Sequence, residues 1–163
     1  MRRFIPDLYY QNISEIPLSD LKKRGICAII CDLDNTLDSH QTKVPSKSAL
    51  AFLDAAKDAG FSLCIISNGK HERVAHYLKD LSLPYIAKAG KPLKKSYQKA
   101  LDRLKISPKQ VAFIGDQIFT DTWGANRVGL TTILVEPIES IENPFFYPKR
   151  ALEKFIKANL TKE

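Results

Sequence analysis

The chain has 163 residues, of which 44% are hydrophobic and 26% charged, and carries a formal net charge of +7. This length suits one compact domain, expected to span 1–163 and to bury about two thirds of its unfolded surface; the composition excludes disorder on a large scale. Pro6 and Asp7 interrupt any apolar leader after Arg2 and Arg3, and no run approaches the roughly 20 apolar residues that cross a bilayer, so a cytoplasmic chain is expected.

The first predicted strand, near 26–31, is apolar on both faces, as befits a central strand of a parallel sheet covered by helices. It runs into Asp32-Leu33-Asp34-Asn35-Thr36. Open α/β sheets bind ligands at the carboxyl ends of their strands, so two carboxylates placed there point to chemistry. Asp also forms turns after strands, so the pair alone leaves both readings open. A helix is predicted near 47–58, with Ser46 as its N-cap and Gly60 at its C-terminal side. A strand near 61–66 then ends in Ser67-Asn68-Gly69, and a helix near 71–81 follows. A short strand near 84–87 leads to Lys91. The next helix, near 94–105, places Leu93, Tyr97, Ala100, Leu101 and Leu104 on one apolar stripe and turns its lysines to water. A strand near 111–115 ends in Gly115-Asp116, with Asp121 five residues on. A helix near 121–128, where Trp123 and Gly124 are read as packing residues, precedes a last strand near 131–135. Strands alternating with helices in this way define a parallel α/β sheet. Beyond it, Pro144-Phe145-Phe146-Tyr147-Pro148 and then Leu152, Phe155, Ile156 and Leu160 describe an amphipathic helix preceded by aromatics. Packing against the sheet is expected, and Lys149, Arg150 and Lys154 beside the stripe leave contact with a membrane surface or partner as the alternative.

The three cysteines lie in apolar strand signals. Cys27 and Cys31 on one strand would stand about 13 Å apart, too far for a disulfide, so reduced packing cysteines are expected. His40, His71 and His76 show no metal-ligand spacing and read as surface positions. The basic charge suits an anionic partner, although charge runs are often solvated helix faces. No nucleic-acid motif accompanies it, so nucleic acid is not the expected partner.

The ordered set Asp32-Leu33-Asp34-Asn35-Thr36-Leu37, Ser67-Asn68-Gly69, Gly90-Lys91-Pro92 and Gly115-Asp116 to Asp121 resembles the haloacid dehalogenase (HAD) superfamily of aspartate-nucleophile phosphatases. The wording of these motifs is similar to the YqeG family of subfamily IIIA, over about Pro6 to Pro137. The resemblance implies a HAD-type Rossmann-like three-layer fold, with five parallel strands in the order 5-4-1-2-3 and no cap domain. Asp32 and Asp116 would then meet across neighbouring strands. It further implies Asp32 as nucleophile, Asp34 as general acid and Lys91 as the cation on the transferring phosphoryl group. Ser67, the amide of Asn68, Lys91 and Thr36 would serve phosphate binding and loop orientation. Asp32, the main-chain carbonyl of Asp34, Asp116 and the nearby Asp121 would hold Mg²⁺, which prefers oxygen ligands. Where the family carries an Asn and an Arg, this chain has Gly69 and Gly90.

Neither gap between motifs has room for a lid, so the site is expected to be open to a phosphate presented on something large. The resemblance implies a phosphatidylglycerophosphate-like lipid, with peripheral contact at the inner face of an anionic membrane. A phosphoprotein, a nucleic-acid end or a soluble metabolite would also fit. A HAD-fold binding or assembly protein with little turnover is the reading from another class.

Overall fold

The computed structural model describes residues 2–139, 153 and 156–158. Its sheet has six parallel strands: β1 (Leu8–Tyr10), β2 (Ala28–Cys31), β3 (Ser62–Ile66), β4 (Tyr85–Ile86), β5 (Val111–Gly115) and β6 (Thr131–Val135), in the order β1-β6-β5-β2-β3-β4. The expected order 5-4-1-2-3 is therefore present in the last five strands, and β1 corrects the count to six. Three residues are too short for a periodic signal. β1 instead gains its place from β6, pairing Leu8 with Ile133. The Asp7 amide donates to the Thr132 carbonyl at 2.9 Å, and the Asp7 carboxylate accepts from the Thr132 amide at 2.8 Å.

Five α-helices connect the strands: α1 (Leu18–Lys23), α2 (Lys47–Asp58), α3 (His71–Leu78), α4 (Lys94–Leu104) and α5 (Trp123–Asn126). Alternation along β2 divides its side chains between two layers. Ile29 and Cys31 join the apolar cluster with Leu21, Phe52, Leu53 and Val74, whereas Ala28 and Ile30 join the one with Tyr97, Leu101 and Phe113. Both faces of the sheet are thus covered by helices, which is why its strands read as unbroken apolar runs.

Capping agrees with the sequence at α2, where Ser46 Oγ accepts from the Ala49 amide at 3.1 Å and Gly60 takes φ +80° just beyond the end. Other boundaries shift. α3 stops at Leu78 and α4 at Leu104, where Lys105 turns into the left-handed region at φ 54°. Leu93 is not part of the α4 stripe: it precedes the first turn and is exposed. The helix expected near 121–128 is a π-helical turn, Ile118–Thr122, followed by the short α5.

The cysteines are free, with Cys31 and Cys64 buried. Trp123 stacks on Phe4 at 5.3 Å between ring centroids, which makes it a packing residue. Most of the aromatic and amphipathic C-terminal stretch lies outside the described residues. Within them, Ile156 packs against Tyr9, Ile118 and Leu134, and Lys157 pairs with Glu136 at 2.9 Å.

Gly124 lets α5 approach α4, since a Cβ there would lie 2.3 Å from Tyr97 Oη and 2.6 Å from its Cζ. Gly124→Ala should therefore lower stability by about 1–3 kcal/mol through overpacking. Urea unfolding measures it, and an unchanged midpoint would contradict this packing.

Candidate active site

Neighbouring strands β2 and β5 bring two acids together at their carboxyl ends. Cys31 registers with Ile114, and the Asp32 amide continues the ladder by donating to the Ile114 carbonyl at 2.9 Å. Asp116 leaves β5 at the same level, and the Thr36 hydroxyl lies 3.1 Å from Asp32 Oδ2 and 3.4 Å from Asp116 Oδ1. Asp121 reaches the site through the π-helical turn, where its carboxylate accepts from the Gln117 amide at 3.0 Å. Gly115 makes that approach possible: a Cβ there would lie 2.5 Å from Asp121 Cγ.

Lys91 completes the cluster. Its Nζ donates to Asp32 Oδ1 at 2.5 Å and to Asp121 Oδ1 at 2.6 Å, with its side chain only 3% exposed. The Asn68 side chain fixes this lysine's backbone, accepting from the Lys91 amide at 2.8 Å and donating to its carbonyl at 3.3 Å. The expected nucleophile, cation and two further acids thus meet in one buried cluster.

Three carboxylates facing one ammonium leave negative charge in excess. Burial lifts the Asp32 carboxyl from 3.8 to about 7, with repulsion from Asp121 adding to the rise and Lys91 opposing it. Burial, then repulsion from Asp121 and Asp32, raises Asp116 well above the usual carboxylate range. Burial alone would discharge Lys91, but attraction to Asp121 and Asp32 outweighs it and holds the ammonium charged. Asp32, Asp116 and Asp121 each offer one oxygen, and these atoms lie within 4.8 Å of one another. An all-oxygen, electron-rich set of this kind fits a hard divalent cation, which would neutralise the excess charge.

Asp34 stands apart from that triad. The left-handed turn at Asn35, φ 65°, is one Asn tolerates, and it directs the chain so that the Asn35 amide donates to the Asp38 carbonyl at 2.7 Å. The Asp34 side chain accepts from Ser67 Oγ at 3.2 Å through Oδ2, and its Oδ1 lies 2.6 Å from Arg73 Nη2. Ser67 in turn accepts from the Gly69 amide at 2.9 Å. Space is tight here, because a Cβ on Gly69 would lie 3.0 Å from Ser67 Oγ and 3.3 Å from Asp34 Oδ2.

Sequence reading missed three neighbours of the site. Arg73 on α3 is one cation among many in the sequence, and only the fold singles it out. His40, expected as an ordinary surface residue, is exposed, yet its Nδ1 lies 3.3 Å from Asp34 Oδ1. Asp38 is buried and accepts from the Tyr77 hydroxyl at 2.5 Å and from the Ser46 amide at 2.9 Å, tying the loop after β2 to α2 and α3.

The raised Asp32 makes a pH prediction for metal-free protein. Its carboxyl moves from 3.8 to about 7 on folding, so the folded state holds an extra proton in that window and stability falls as pH rises through it. Asp32→Asn is uncharged throughout and lacks this contribution. In chelator, wild type should lose stability relative to the variant between about pH 4.5 and about pH 7.5. Urea midpoints at the two pH values test it, and a constant or opposite difference would refute the assignment.

The chain matches the haloacid dehalogenase-like hydrolase family over residues 33–129, a span that begins one residue after Asp32 and contains Lys91, Asp116 and Asp121. It is 33% identical over 160 residues to a Bacillus subtilis (strain 168) protein named "Probable phosphatase YqeG", covering 98% of this chain and 93% of that one. Among solved structures, it is similar to a protein from Legionella pneumophila assigned to HAD subfamily III A, with TM-score 0.54, 24% identity, and 73% and 70% of the two chains covered. A HAD phosphatase from Thermococcus onnurineus gives TM-score 0.59 at 16% identity, covering 73% and 90%. These structural likenesses bear on the fold alone. With the family match spanning more than half of the chain and a relative aligned along nearly all of it, the protein belongs to the haloacid dehalogenase-like hydrolases.

Proposed function

We propose that the protein is a Mg²⁺-dependent phosphate monoester hydrolase acting through an aspartyl-phosphate on Asp32, with a membrane-presented phosphate of the phosphatidylglycerophosphate kind as its substrate. The observation that carries the chemistry is the buried contact of Lys91 with Asp32 beside Asp116 and Asp121. A phosphate dianion repels an incoming carboxylate, so a site for this reaction needs concentrated positive charge. Held by Asp32, Asp116 and the main-chain carbonyl of Asp34, with Asp121 nearby, Mg²⁺ would supply Lewis acidity and neutralise charge on the phosphoryl oxygens.

The chain's own groups divide the work. Asp32 attacks phosphorus as the bond to the leaving alkoxide breaks, and Asp34 gives that alkoxide a proton. Water then attacks phosphorus, Asp34 takes its proton, and phosphate departs as the Asp32 carboxylate is restored. Ser67 and the Asn68 amide bind phosphoryl oxygens, while Lys91 stabilises the charge they gain. Thr36 orients the Asp32 and Asp116 carboxylates, the role its hydroxyl contacts support.

The substrate reading draws on what surrounds the cleft. Among the described residues, β2 to α2 is bridged by one loop and β3 to β4 by α3, with no inserted domain between them. Three exposed apolar side chains, Val44, Leu93 and Ile138, sit on the loops after β2, β4 and β6. Exposed Lys43, Lys70 and Lys88 occupy loops at this same carboxyl edge. Apolar and basic side chains together at the mouth suit an anionic lipid surface. No helix among the described residues is long and apolar enough to cross a membrane.

Chelator should abolish phosphate release, and added Mg²⁺ should restore it. Lys91→Ala should lower kcat/KM by roughly hundredfold or more, as for loss of one preorganised transition-state donor. Exposed Lys95 on α4 is the control, and Lys95→Ala should leave turnover of a small phosphate nearly unchanged. Equal losses in both variants would replace a positioned lysine with diffuse charge.

For the lipid, kcat/KM on phosphatidylglycerophosphate in mixed anionic vesicles should exceed that for sugar phosphates, nucleotides and phosphopeptides. Leu93→Glu and added salt should each depress turnover on vesicles while sparing a soluble aryl phosphate. Attraction to the surface amounts to about 1 kcal/mol per basic residue near it, screened within about 8 Å at physiological salt. A soluble metabolite or phosphopeptide preferred by about tenfold, a difference of about 1.4 kcal/mol, would overturn the lipid reading and leave the phosphatase reading intact.

A further inference from the structure

Asp34 is gripped from two sides by groups of different character. Its Oδ2 accepts a hydrogen bond from Ser67 Oγ at 3.2 Å. Its Oδ1 lies 2.6 Å from Arg73 Nη2, an ionic contact between groups only 21% and 22% exposed. The same Nη2 donates to the His40 carbonyl at 2.6 Å, and Arg73 Nε donates to that carbonyl at 3.1 Å. Arg73 therefore ties α3 to the loop after β2 and places its charge against the carboxylate that this loop carries. Arg73 Nη1 is buried with no hydrogen-bond partner among the described residues, and Asp34 Oδ1, buried as well, has ionic contacts with Arg73 Nη2 at 2.6 Å and His40 Nδ1 at 3.3 Å. A small rotation would bring Nη1 to Oδ1 as a second donor beside Nη2, both on one oxygen, which leaves Oδ2 to Ser67.

We infer that Arg73 is the positioning residue for proton transfer by Asp34: it retains Oδ1, so that Oδ2 is the oxygen that delivers and later accepts the proton. This rests on the reading of Asp34 as general acid. Ser67 links the event to substrate arrival. Its hydroxyl donates to Asp34 Oδ2 in the substrate-free protein, and a phosphoryl oxygen entering the cleft competes for the same O–H. When the hydroxyl turns to the phosphoryl group, Oδ2 loses its partner while Oδ1 keeps Arg73. The carboxyl remains anchored at one oxygen and is released at the other, facing the leaving group. In the forward half, the Oδ2–H bond breaks as the leaving alkoxide gains the proton; in the second half, Oδ2 takes a proton from the attacking water. Arg73 changes partners in neither half.

A group acting through the general acid betrays itself in leaving-group dependence. A dinitrophenolate departs without a proton, whereas phenolate is a poorer leaving group that gains from one. Measured as kcat/KM over a series from 2,4-dinitrophenyl phosphate to phenyl phosphate, Arg73→Ala should lose about tenfold or more activity at the phenyl end beyond its loss at the dinitrophenyl end. Arg73→Lys, which keeps the charge, should recover part of the difference. Partial unfolding lowers all substrates by one factor and leaves the slope unchanged, so a purely structural role gives a flat profile. A flat profile for Arg73→Ala overturns the inference, as does wild-type activity throughout. Asp34→Asn in the same series separates the two levels. A steep loss for Asp34→Asn with a flat one for Arg73→Ala leaves the general acid in place and removes Arg73 alone. A flat profile for Asp34→Asn removes the general-acid reading and the inference with it.

Discussion

The ammonium of Lys91, held between the carboxylates of Asp32 and Asp121, is the contact on which the rest of the site depends. Deep burial makes it a demanding arrangement. Removing either kind of charge strands the other away from water, a change that costs several kcal/mol in typical proteins. Much of the surrounding structure keeps these partners in place. Asn68 clamps the backbone of Lys91 from both sides, Gly115 clears space for Asp121, and Thr36 bridges Asp32 and Asp116. Even so, one cation among three acids leaves the cluster short of positive charge, which is why burial and mutual repulsion raise Asp32 and Asp116. The same excess of negative charge suits a divalent cation, which would neutralise it.

Much of this was legible in the sequence because parallel sheets reveal themselves twice. Central strands read as unbroken apolar runs, and their carboxyl ends carry the polar groups that bind ligands. Asp32, Ser67, Lys91 and Asp116 each followed such a run, and the structure brings their backbones to one edge. What escaped the sequence depends on long-range contacts. β1 is only three residues long and exists because β6 offers it an edge, while the flanking Asp7 locks onto Thr132. The π-helical turn at Ile118–Thr122 keeps helical composition, so nothing in its residues distinguished it from the start of an α-helix. Leu93 fitted a helical stripe by spacing, but it precedes the first turn and so points elsewhere. Arg73 could not be told from neighbouring cations until α3 was laid beside the loop carrying Asp34.

Two kinds of constraint therefore meet at the carboxyl edge. The cluster around Lys91 is buried and rigidly partnered, whereas Asp34 is shared between Ser67 and Arg73 and lies closer to solvent. In the proposed division of labour, one acid must hold a fixed position for in-line attack and the other must exchange protons with leaving group and water. The surrounding loops add exposed basic and apolar side chains at the same edge of the sheet. In the proposed reading, recognition falls to the surface on which a phosphate is presented, and the chemistry to the buried cluster beneath.

The central claim is that Asp32 forms a covalent bond to phosphorus, and the stereochemical course of phosphoryl transfer tests it most directly. With an ester made chiral at phosphorus by oxygen isotopes and sulfur, hydrolysed in isotopically labelled water, two successive in-line displacements give net retention of configuration. Retention is the result expected here. Net inversion would mean that water attacks the ester in one step, and it would contradict the role assigned to Asp32.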